Sequence, residues 1–265
     1  MRKKIVFFLL VLVLVTVAGT FPQEPALSPA DILEKIDSNM VFKTARAEID
    51  MVITLNNRII TKSLDSYSRG NEKSYIEFLD PPRDKGTKLL KIEDIIYIYY
   101  PSAERVMRIS GHMLRQSMMG SDFSYEDMTV RAKKLKEEYI SEIKGEETLE
   151  GRPCLLMVLT SKIEKQTYFT RKAWVDKERF IVLREELYAR SGKLIKEMAV
   201  QAVQTYKDRY YPTRLTMKDK LRQNSSTEMI IKKIEFDIPI PDETFSERQL
   251  LKSGRGLSPQ TDDTK

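Results

Sequence analysis

The residue types that most often perform catalysis or bind metals are scarce in this sequence of 265 residues. It contains one cysteine, Cys154, and one histidine, His112. One residue of each kind excludes an intramolecular disulfide framework, a CxxC redox pair, a cysteine–histidine zinc site and a two-histidine metal site. Cys154 lies in the apolar run 154–159, where a free thiol behaves as a small buried hydrophobe. We therefore interpret Cys154 as a core residue, and we expect neither a metal ion nor a cofactor.

Two other groups have the residue types of nucleophilic or acid–base chemistry. His112 stands near Ser110 and Asp122, but the sequence has no GxSxG turn, so we interpret His112 as a loop residue. The glutamate pairs at 146–147 and 185–186 are sequence neighbours, which point to opposite faces of a strand and cannot face one substrate together. We interpret both pairs as solvated surface charges. The sequence thus favours a protein without enzymatic activity, with an envelope hydrolase as an alternative.

Methionine and aromatic residues form a more informative group. Several of the 12 methionines lie in one short stretch near aromatic residues: Met107, Met113, Met118, Met119 and Met128, beside Tyr97, Tyr99, Phe123 and Tyr125. Because methionine is flexible and polarizable, it suits a surface that accepts apolar groups of variable shape. Ordinary core filling is the alternative for each of these residues. As a group, they predict an adaptable apolar pocket.

The elements that would position these residues begin with one helix. Ser28 can cap this helix, Pro29 suits its first position, and Asp31 favours the positive end of the helix dipole. Apolar residues then recur at helical spacing, namely Ile32, Leu33, Ile36 and Met40. The pattern predicts a helix of about three turns that ends near residues 39–42.

After the helix, the apolar period changes to two. Short alternating runs, separated by turn signals such as 56–57 and 191–192, extend over residues 45–109 and 139–236. Helix-length gaps between these runs are absent, so the pattern favours an antiparallel meander of about ten or eleven strands over a parallel sheet. Residues 111–128 interrupt the meander and are predicted to form a short helix and a loop.

The two ends of the chain are predicted to lie outside the folded domain. Residues 2–4 are basic, residues 5–15 are apolar and residues 18–20 are small, which is the pattern of a secretory signal peptide over residues 1–20. An uncleaved N-terminal anchor is the alternative. The polar residues 253–265 are predicted to be disordered.

The net charge of the sequence is +6. Its positive and negative residues are interspersed and form no basic stripe, so we expect no nucleic-acid partner.

Several stretches resemble LolA-like outer-membrane lipoprotein-sorting proteins. The first is IEFLDPPRDKGTK at residues 76–88, followed by YYPSAER at 99–105 and MGSDFSYED at 119–127. YPTR at 211–214 and IPDETF at 240–245 are also similar. The resemblance covers most of the chain after the signal segment and is tightest over residues 66–128.

The resemblance implies a mainly β fold with some α structure. Residues 21–252 would form a half-open antiparallel β-barrel wrapped around a helical lid. The implied function is that of a periplasmic carrier, which binds acyl chains of lipoproteins or lipids in an apolar cavity and shuttles them toward the outer membrane. Its implied partners are the acylated cargo, an inner-membrane exporter and an outer-membrane acceptor, and we expect a monomer. The chain has no cavity arginine followed by proline at residues 72–75, so the cargo and the release mechanism stay open.

The predicted ligand-binding residues are apolar or aromatic and lie on the helix, the strands and the interrupting segment. They are Ile32, Leu33, Ile36, Met51, Ile53, Phe78, Leu89, Tyr97, Tyr99, Met107, Met113, Leu114, Met118, Met119 and Phe123. Within this set, residues 32–36 and 113–119 are predicted to form the lid. The alternative to a carrier is an accessory module of an inner-membrane export system, with its apolar interior filled by its own side chains.

Overall fold

The computed structural model describes residues 27–129, 132–207 and 209–252. The predicted signal peptide and the predicted disordered tail lie outside these ranges. The α-helices are α1 (Pro29–Met40), α2 (Ala132–Glu138) and α3 (Glu247–Leu251). The strands are β1 (Thr44–Leu55), β2 (Arg58–Arg69), β3 (Lys73–Asp80), β4 (Lys88–Ile92), β5 (Ile95–Tyr100), β6 (Arg105–Ile109), β7 (Tyr139–Leu149), β8 (Arg152–Ser161), β9 (Thr170–Asp176), β10 (Val182–Tyr188), β11 (Leu194–Tyr206), β12 (Arg209–Asp219) and β13 (Ser225–Phe236).

All of these strands belong to one antiparallel sheet. Its order is β6-β5-β4-β3-β2-β1-β13-β12-β11-β10-β9-β8-β7, so two meanders meet where β1 pairs with β13. Within the described ranges β6 and β7 do not pair, and the sheet stays open between them. The predicted mainly β, antiparallel class is confirmed. The expected strand number is wrong, because the sheet has 13 strands. The turn signals divide the sequence into as many runs as the sheet has strands, so the expected number undercounts these runs.

Helix α1 begins where the sequence predicts. The Ser28 hydroxyl accepts a hydrogen bond from the Asp31 backbone at 3.2 Å, and the Asp31 carboxylate accepts one from the Ser28 backbone at 3.0 Å. This capping box satisfies amides that a helix leaves unpaired at its start. At the other end, the Asn39 side chain donates to the Arg179 carbonyl at 2.7 Å and accepts from the Tyr210 amide at 3.1 Å. These bonds anchor the end of α1 to the β9–β10 turn and to β12.

The chain between β6 and β7 joins the two edges of the sheet. It contains the short 3-10 helices Gly111–Arg115, Met118–Gly120 and Glu126–Thr129, and then α2. The prediction of one short helix plus a loop is therefore corrected to several short turns. Helix α2 was not predicted, because Leu135 is its one strongly apolar residue besides alanine and gives no helical stripe. Leu135 packs against the cluster around α1.

The apolar core consists of three clusters on the two faces of the sheet. We call the face that carries α1 and residues 111–129 the inner face. The methionine cluster lies on the inner face of β1–β6, and the helix cluster joins α1 to β7–β9. The tyrosine cluster lies on the outer face, where residues 238–250 cover β2–β5. Cys154 is fully buried, as predicted, and burial raises the pKa of its thiol.

None of the helices in the described part of the chain combines the length and apolar character needed to cross a membrane.

Candidate functional site

The methionine cluster is the largest concentration of predicted ligand-binding residues. Residues 111–129, which we call the methionine segment, pack here against the inner face of the sheet. The cluster contains ten of the predicted residues: Met51, Ile53, Phe78, Leu89, Met107, Met113, Leu114, Met118, Met119 and Phe123. Met51, Phe78 and Leu89 are at most 1% exposed, whereas Met113 and Met119 are partly buried. The segment therefore covers a closed apolar layer with side chains that can rearrange.

The other predicted residues lie in different places. Ile32, Leu33 and Ile36 belong to the helix cluster. Tyr97 and Tyr99 belong to the tyrosine cluster on the outer face. This placement corrects the prediction of one shared surface. The cause is strand alternation, because Ile96 and Ile98 occupy the inward positions of β5 and send the two tyrosines outward.

The register shows that the methionine cluster and the helix cluster share the inner face. Residues directly opposite one another in neighbouring strands lie on the same face. Such pairs connect Ile53 to Thr227, Met217, Met198, Glu185, Ala173 and Met157 in turn. Helix α1 and the methionine segment therefore cover different halves of one surface. The two halves of the predicted lid are separate elements over separate clusters.

A band of charged and hydroxyl groups separates the two clusters. Arg171 is 6% exposed, and its Nε donates to Glu185 at 2.8 Å. Lys196 donates to Asp127 at 2.7 Å, and the Tyr168 hydroxyl donates to the same carboxylate at 2.8 Å. Burial, and then the Asp127 charge, raise the pKa of Tyr168, so this phenol stays a donor. The inner face thus consists of two apolar areas, and the polar side chains between them are paired with one another.

A second polar group fixes the middle of the methionine segment. The Asp122 carboxylate is buried and accepts hydrogen bonds from the hydroxyls of Ser225 and Thr227, both at 2.6 Å. The Asp122 amide donates in turn to the Thr227 hydroxyl at 2.8 Å. Arg222 donates to the Ser121 carbonyl at 2.7 Å. These bonds tie the segment to the hairpin of β12 and β13.

Lys62 ties the same segment to the loop after β3. Its Nζ donates to the Met119 carbonyl at 2.8 Å and forms an ion pair with Asp84 at 2.8 Å. Lys62 is 7% exposed, so both contacts are shielded from water. The segment is therefore held by polar bonds at three places, namely the Asp122 group, Lys62 and the Asp127 carboxylate of the polar band, and by apolar packing between them.

Two pockets lie outside the methionine cluster, one near the inner face and one on the outer face. One, of about 280 Å³, is lined by the start of α1 together with Leu33, Lys136 and Tyr139. Another, of about 250 Å³, lies among Arg152, Arg179, Arg184 and the middle of β11. Neither is lined by residues of the methionine segment.

The residues considered for catalysis do not form a common site. His112 and Ser110 are exposed, whereas Asp122 is buried in the bonds described above. Glu185 and Glu186 lie on opposite faces, as expected, but Glu185 is not a solvated charge. Its side chain is 16% exposed and pairs with Arg171. The Glu186 side chain is 12% exposed and pairs with Arg184, so the interpretation is corrected for both residues.

The polar residues of the inner face were missed by the sequence analysis. Lys62 lies two positions before Leu64 on β2, and Lys196 lies two positions before Met198 on β11. Residues two apart on a strand share a face, so both lysines point to the inner face. A charge in an inward position needs a partner, and that rule could have identified both residues. Asp122 and Asp127 lie in the MGSDFSYED stretch, but the sequence does not show which groups they contact.

Comparison with known proteins adds a second line of evidence. A family model described as an uncharacterized protein matches residues 70–252. No curated protein matches the chain significantly. Three solved structures are similar over 84% of this chain. A DUF1329 family protein from Desulfovibrio piger is 24% identical, with a TM-score of 0.77 and 97% of its own chain covered.

The other two structures are more distant in sequence. A domain assigned to outer membrane lipoprotein sorting, from Vibrio parahaemolyticus, is 21% identical, with a TM-score of 0.76 and 98% of that chain covered. A LolA superfamily protein from Nitrosomonas europaea is 21% identical, with a TM-score of 0.70 and 100% of that chain covered. At these identities, the similarities concern the fold.

Proposed function

The chain belongs to the family whose model matches residues 70–252 and has the fold of LolA-superfamily proteins, and from this we propose that it is a carrier of acyl chains. The carrier binds the chains of lipoproteins or lipids without catalysing a reaction. Its site of action is the periplasm, between an inner-membrane exporter and an outer-membrane acceptor. The fold supports this proposal, and the sequence pattern of residues 1–20 is consistent with export.

The single observation that carries the proposal is the apolar layer beneath the methionine segment. An acyl chain that leaves a membrane exposes its methylene groups to water, and burying each one recovers about 0.8 kcal/mol. In the closed state, methionine side chains occupy the same layer. A bound chain would replace those contacts with similar ones, so the net affinity stays moderate and release remains possible. Reversible exchange of this kind is what a carrier requires.

Opening needs no break in the sheet. The methionine segment joins the two unpaired edges, β6 and β7, and contributes no strand to the ladder. Moving it away breaks the bonds of Asp122, Arg222 and Lys62 and those of Asp127 with Lys196 and Tyr168, and it exposes the layer. We assign the lid function to this segment and leave α1 as a fixed part of the second cluster.

The test begins with purification from a periplasm without detergent. Mass spectrometry of an organic extract is expected to show lipid or an acylated peptide in stoichiometric amount. The emptied protein is expected to take up a fluorescent fatty acid in solution. Replacing Met113 and Met119 with Asp places charge in the apolar layer and is expected to weaken that uptake at least tenfold. Since both residues are only partly buried, the fold should persist, which circular dichroism checks.

Met40→Asp is the matched control, because Met40 is 42% exposed on α1 and lies outside the methionine cluster. Fatty-acid uptake by this variant should equal that of the unchanged protein.

A specific observation favours the alternative function, an accessory module of an export system: Met51, Ile96 and Ile98 are fully buried by the protein's own side chains. A clean extract together with absent fatty-acid uptake would contradict the carrier and support the accessory module.

A further inference from the structure

Two hairpins of the sheet end side by side. The β1–β2 hairpin turns at Asn56 and Asn57, whose φ angles of 49° and 63° fit a tight two-residue turn. The β12–β13 hairpin turns over residues 220–224. The Asn56 amide donates to the Asn224 carbonyl at 3.0 Å, which joins the two turns. We call residues 54–61 and 217–226 together the hairpin end.

The hairpin end exposes large aliphatic side chains. Ile59 is 69% exposed, Leu221 57%, Ile60 49% and Leu55 37%. Ile59 and Ile60 are neighbours on β2, so they point to opposite faces, and neither face is covered at this place. Single exposed aliphatic residues are normal on a protein surface, but a group at one protruding point indicates a contact with another apolar phase.

The hairpin end is also rich in positively charged residues. The hairpin end contains four cations, Arg58, Lys218, Lys220 and Arg222, and one carboxylate, Asp219. Lys220 pairs with Glu197 on β11 at 2.7 Å, Arg222 lies 4.0 Å from the Asp122 carboxylate, and Lys218 lies opposite Glu197 in the register of β11 and β12. Within the described residues, Arg58 and Lys218 form no ion pair. The charge of the hairpin end is therefore only partly balanced by its surroundings.

A pocket of about 410 Å³ lies among these cations. Its lining includes Lys218, Lys220 and Arg222 together with the polar side chains of Asn57 and Ser226. Ammonium, guanidinium and amide donors around an open pocket suit a phosphate group. Exposed aliphatic side chains beside an open pocket with three cations and one carboxylate, Asp219, match the chemistry of a phospholipid surface, with its headgroups above and acyl chains below.

We infer that the hairpin end docks on a membrane surface rich in anionic phospholipids. Ile59 and Leu221 enter the boundary between headgroups and acyl chains, and the cationic pocket receives phosphate groups. A protein partner would be expected to bury a broader area than two turns offer. Charge and aliphatic exposure at a narrow tip favour the bilayer.

Docking there brings the methionine segment close to the bilayer. Arg222 lines the pocket and also donates to the Ser121 carbonyl of that segment. If the protein carries acyl chains as proposed, a chain leaving the membrane meets the segment directly. This extension rests on the proposed function, whereas docking itself does not.

The test measures flotation of the protein with vesicles. Binding is expected to vesicles of phosphatidylglycerol and phosphatidylcholine in equal parts, to fall with added salt, and to be weak on phosphatidylcholine alone. Replacing Arg58 and Lys218 with Gln removes two charges and should weaken binding about 25-fold, at about fivefold for each cation. Replacing Ile59 and Leu221 with Ser should weaken it at least about tenfold, since the buried aliphatic area is lost.

Matched controls carry the same substitutions elsewhere. Ile140 and Ile163 are 57% and 43% exposed, and Lys165 and Lys193 are exposed as well. Replacing the isoleucines with Ser, or the lysines with Gln, should leave flotation unchanged. Absence of binding by the unchanged protein, or equal effects of hairpin-end and control substitutions, would overturn the inference. Binding of inorganic phosphate in solution without binding to the vesicles would overturn it in favour of a free-phosphate site.

The two proposals fail in distinguishable ways. Fatty-acid uptake is measured without vesicles, and flotation is measured without cargo. Loss of uptake with retained flotation contradicts the carrier alone, and the reverse result contradicts docking alone.

Discussion

At the scale of single residues, the buried charges of the polar band and of Asp122 are held by partners. Asp122 lies within the methionine segment with two hydroxyl donors, and Arg171 is 6% exposed beside Glu185. Burial opposes the charge of Arg171, but the Glu185 carboxylate outweighs it, so the pKa of the guanidinium is raised. A buried charge that is paired in this way adds little to the net stability of the fold, but it fixes the positions of the groups around it.

The environment of Asp176 predicts how the stability of the protein depends on pH. It is fully buried at the end of β9, and it accepts hydrogen bonds from Arg152 and from the amides of Glu178 and Arg179. Burial tends to raise its pKa, but these donors together lower it below the ordinary value. A carboxylate with a lowered folded-state pKa stabilises the fold above its unfolded pKa of about 3.9, and this contribution is lost as the pH falls through the folded value.

Asp176→Asn should therefore lower the free energy of unfolding at neutral pH by about 1.5–3 kcal/mol, the usual contribution of hydrogen bonds to a charged group. The difference from the unchanged protein should shrink as the solution is acidified below about pH 4. Urea unfolding at several pH values measures both effects. A difference that stays constant across the acid range would contradict this assignment.

At the scale of elements, the C-terminal segment covers the outer face. Leu250 in α3 is fully buried in the tyrosine cluster, whereas its neighbour Leu251 is 59% exposed. Leu250→Ala should destabilise the protein by about 2–5 kcal/mol, because a buried leucine leaves a cavity. Leu251→Ala should change the stability by less than about 0.5 kcal/mol. Urea unfolding of the two variants measures the contrast, and equal losses would show that α3 does not dock as described.

The elements also show what the sequence can predict. Alternation and turn signals locate the strands well, and the cap at Ser28 locates α1, because these features depend on local chemistry. The partners of β1 cannot be predicted in this way, since its neighbour β13 lies at the far end of the described chain. Nor can local patterns separate Ile98 from Tyr99 as inner and outer residues until the register of β5 is known. The polar band was missed for the same reason, because its members come from distant strands.

At the scale of the whole molecule, one continuous sheet carries a segment that takes no part in its ladder. Hydrogen exchange should therefore divide the protein into two levels. Amides of β1 and β13, paired on both sides, should exchange through global unfolding. Amides of residues 111–129 should exchange faster, through local opening, and should gain protection when a fatty acid is bound. Mass spectrometry of exchanged peptides measures both, and equal protection of the two regions would contradict a movable segment.

The pairing of β1 with β13 also bears on the order in which the chain can fold. Lys43 and Asp237, at one end of this ladder, are bonded across 194 positions of sequence. A chain that emerges with its N-terminus first, from a ribosome or through a membrane pore, exposes β1 long before β13 is available. The central ladder must wait for almost the entire domain, and pairing over such sequence distances is intrinsically slow. Until then, β1 has one unpaired edge, so an emerging chain would depend on other proteins to shield it from aggregation.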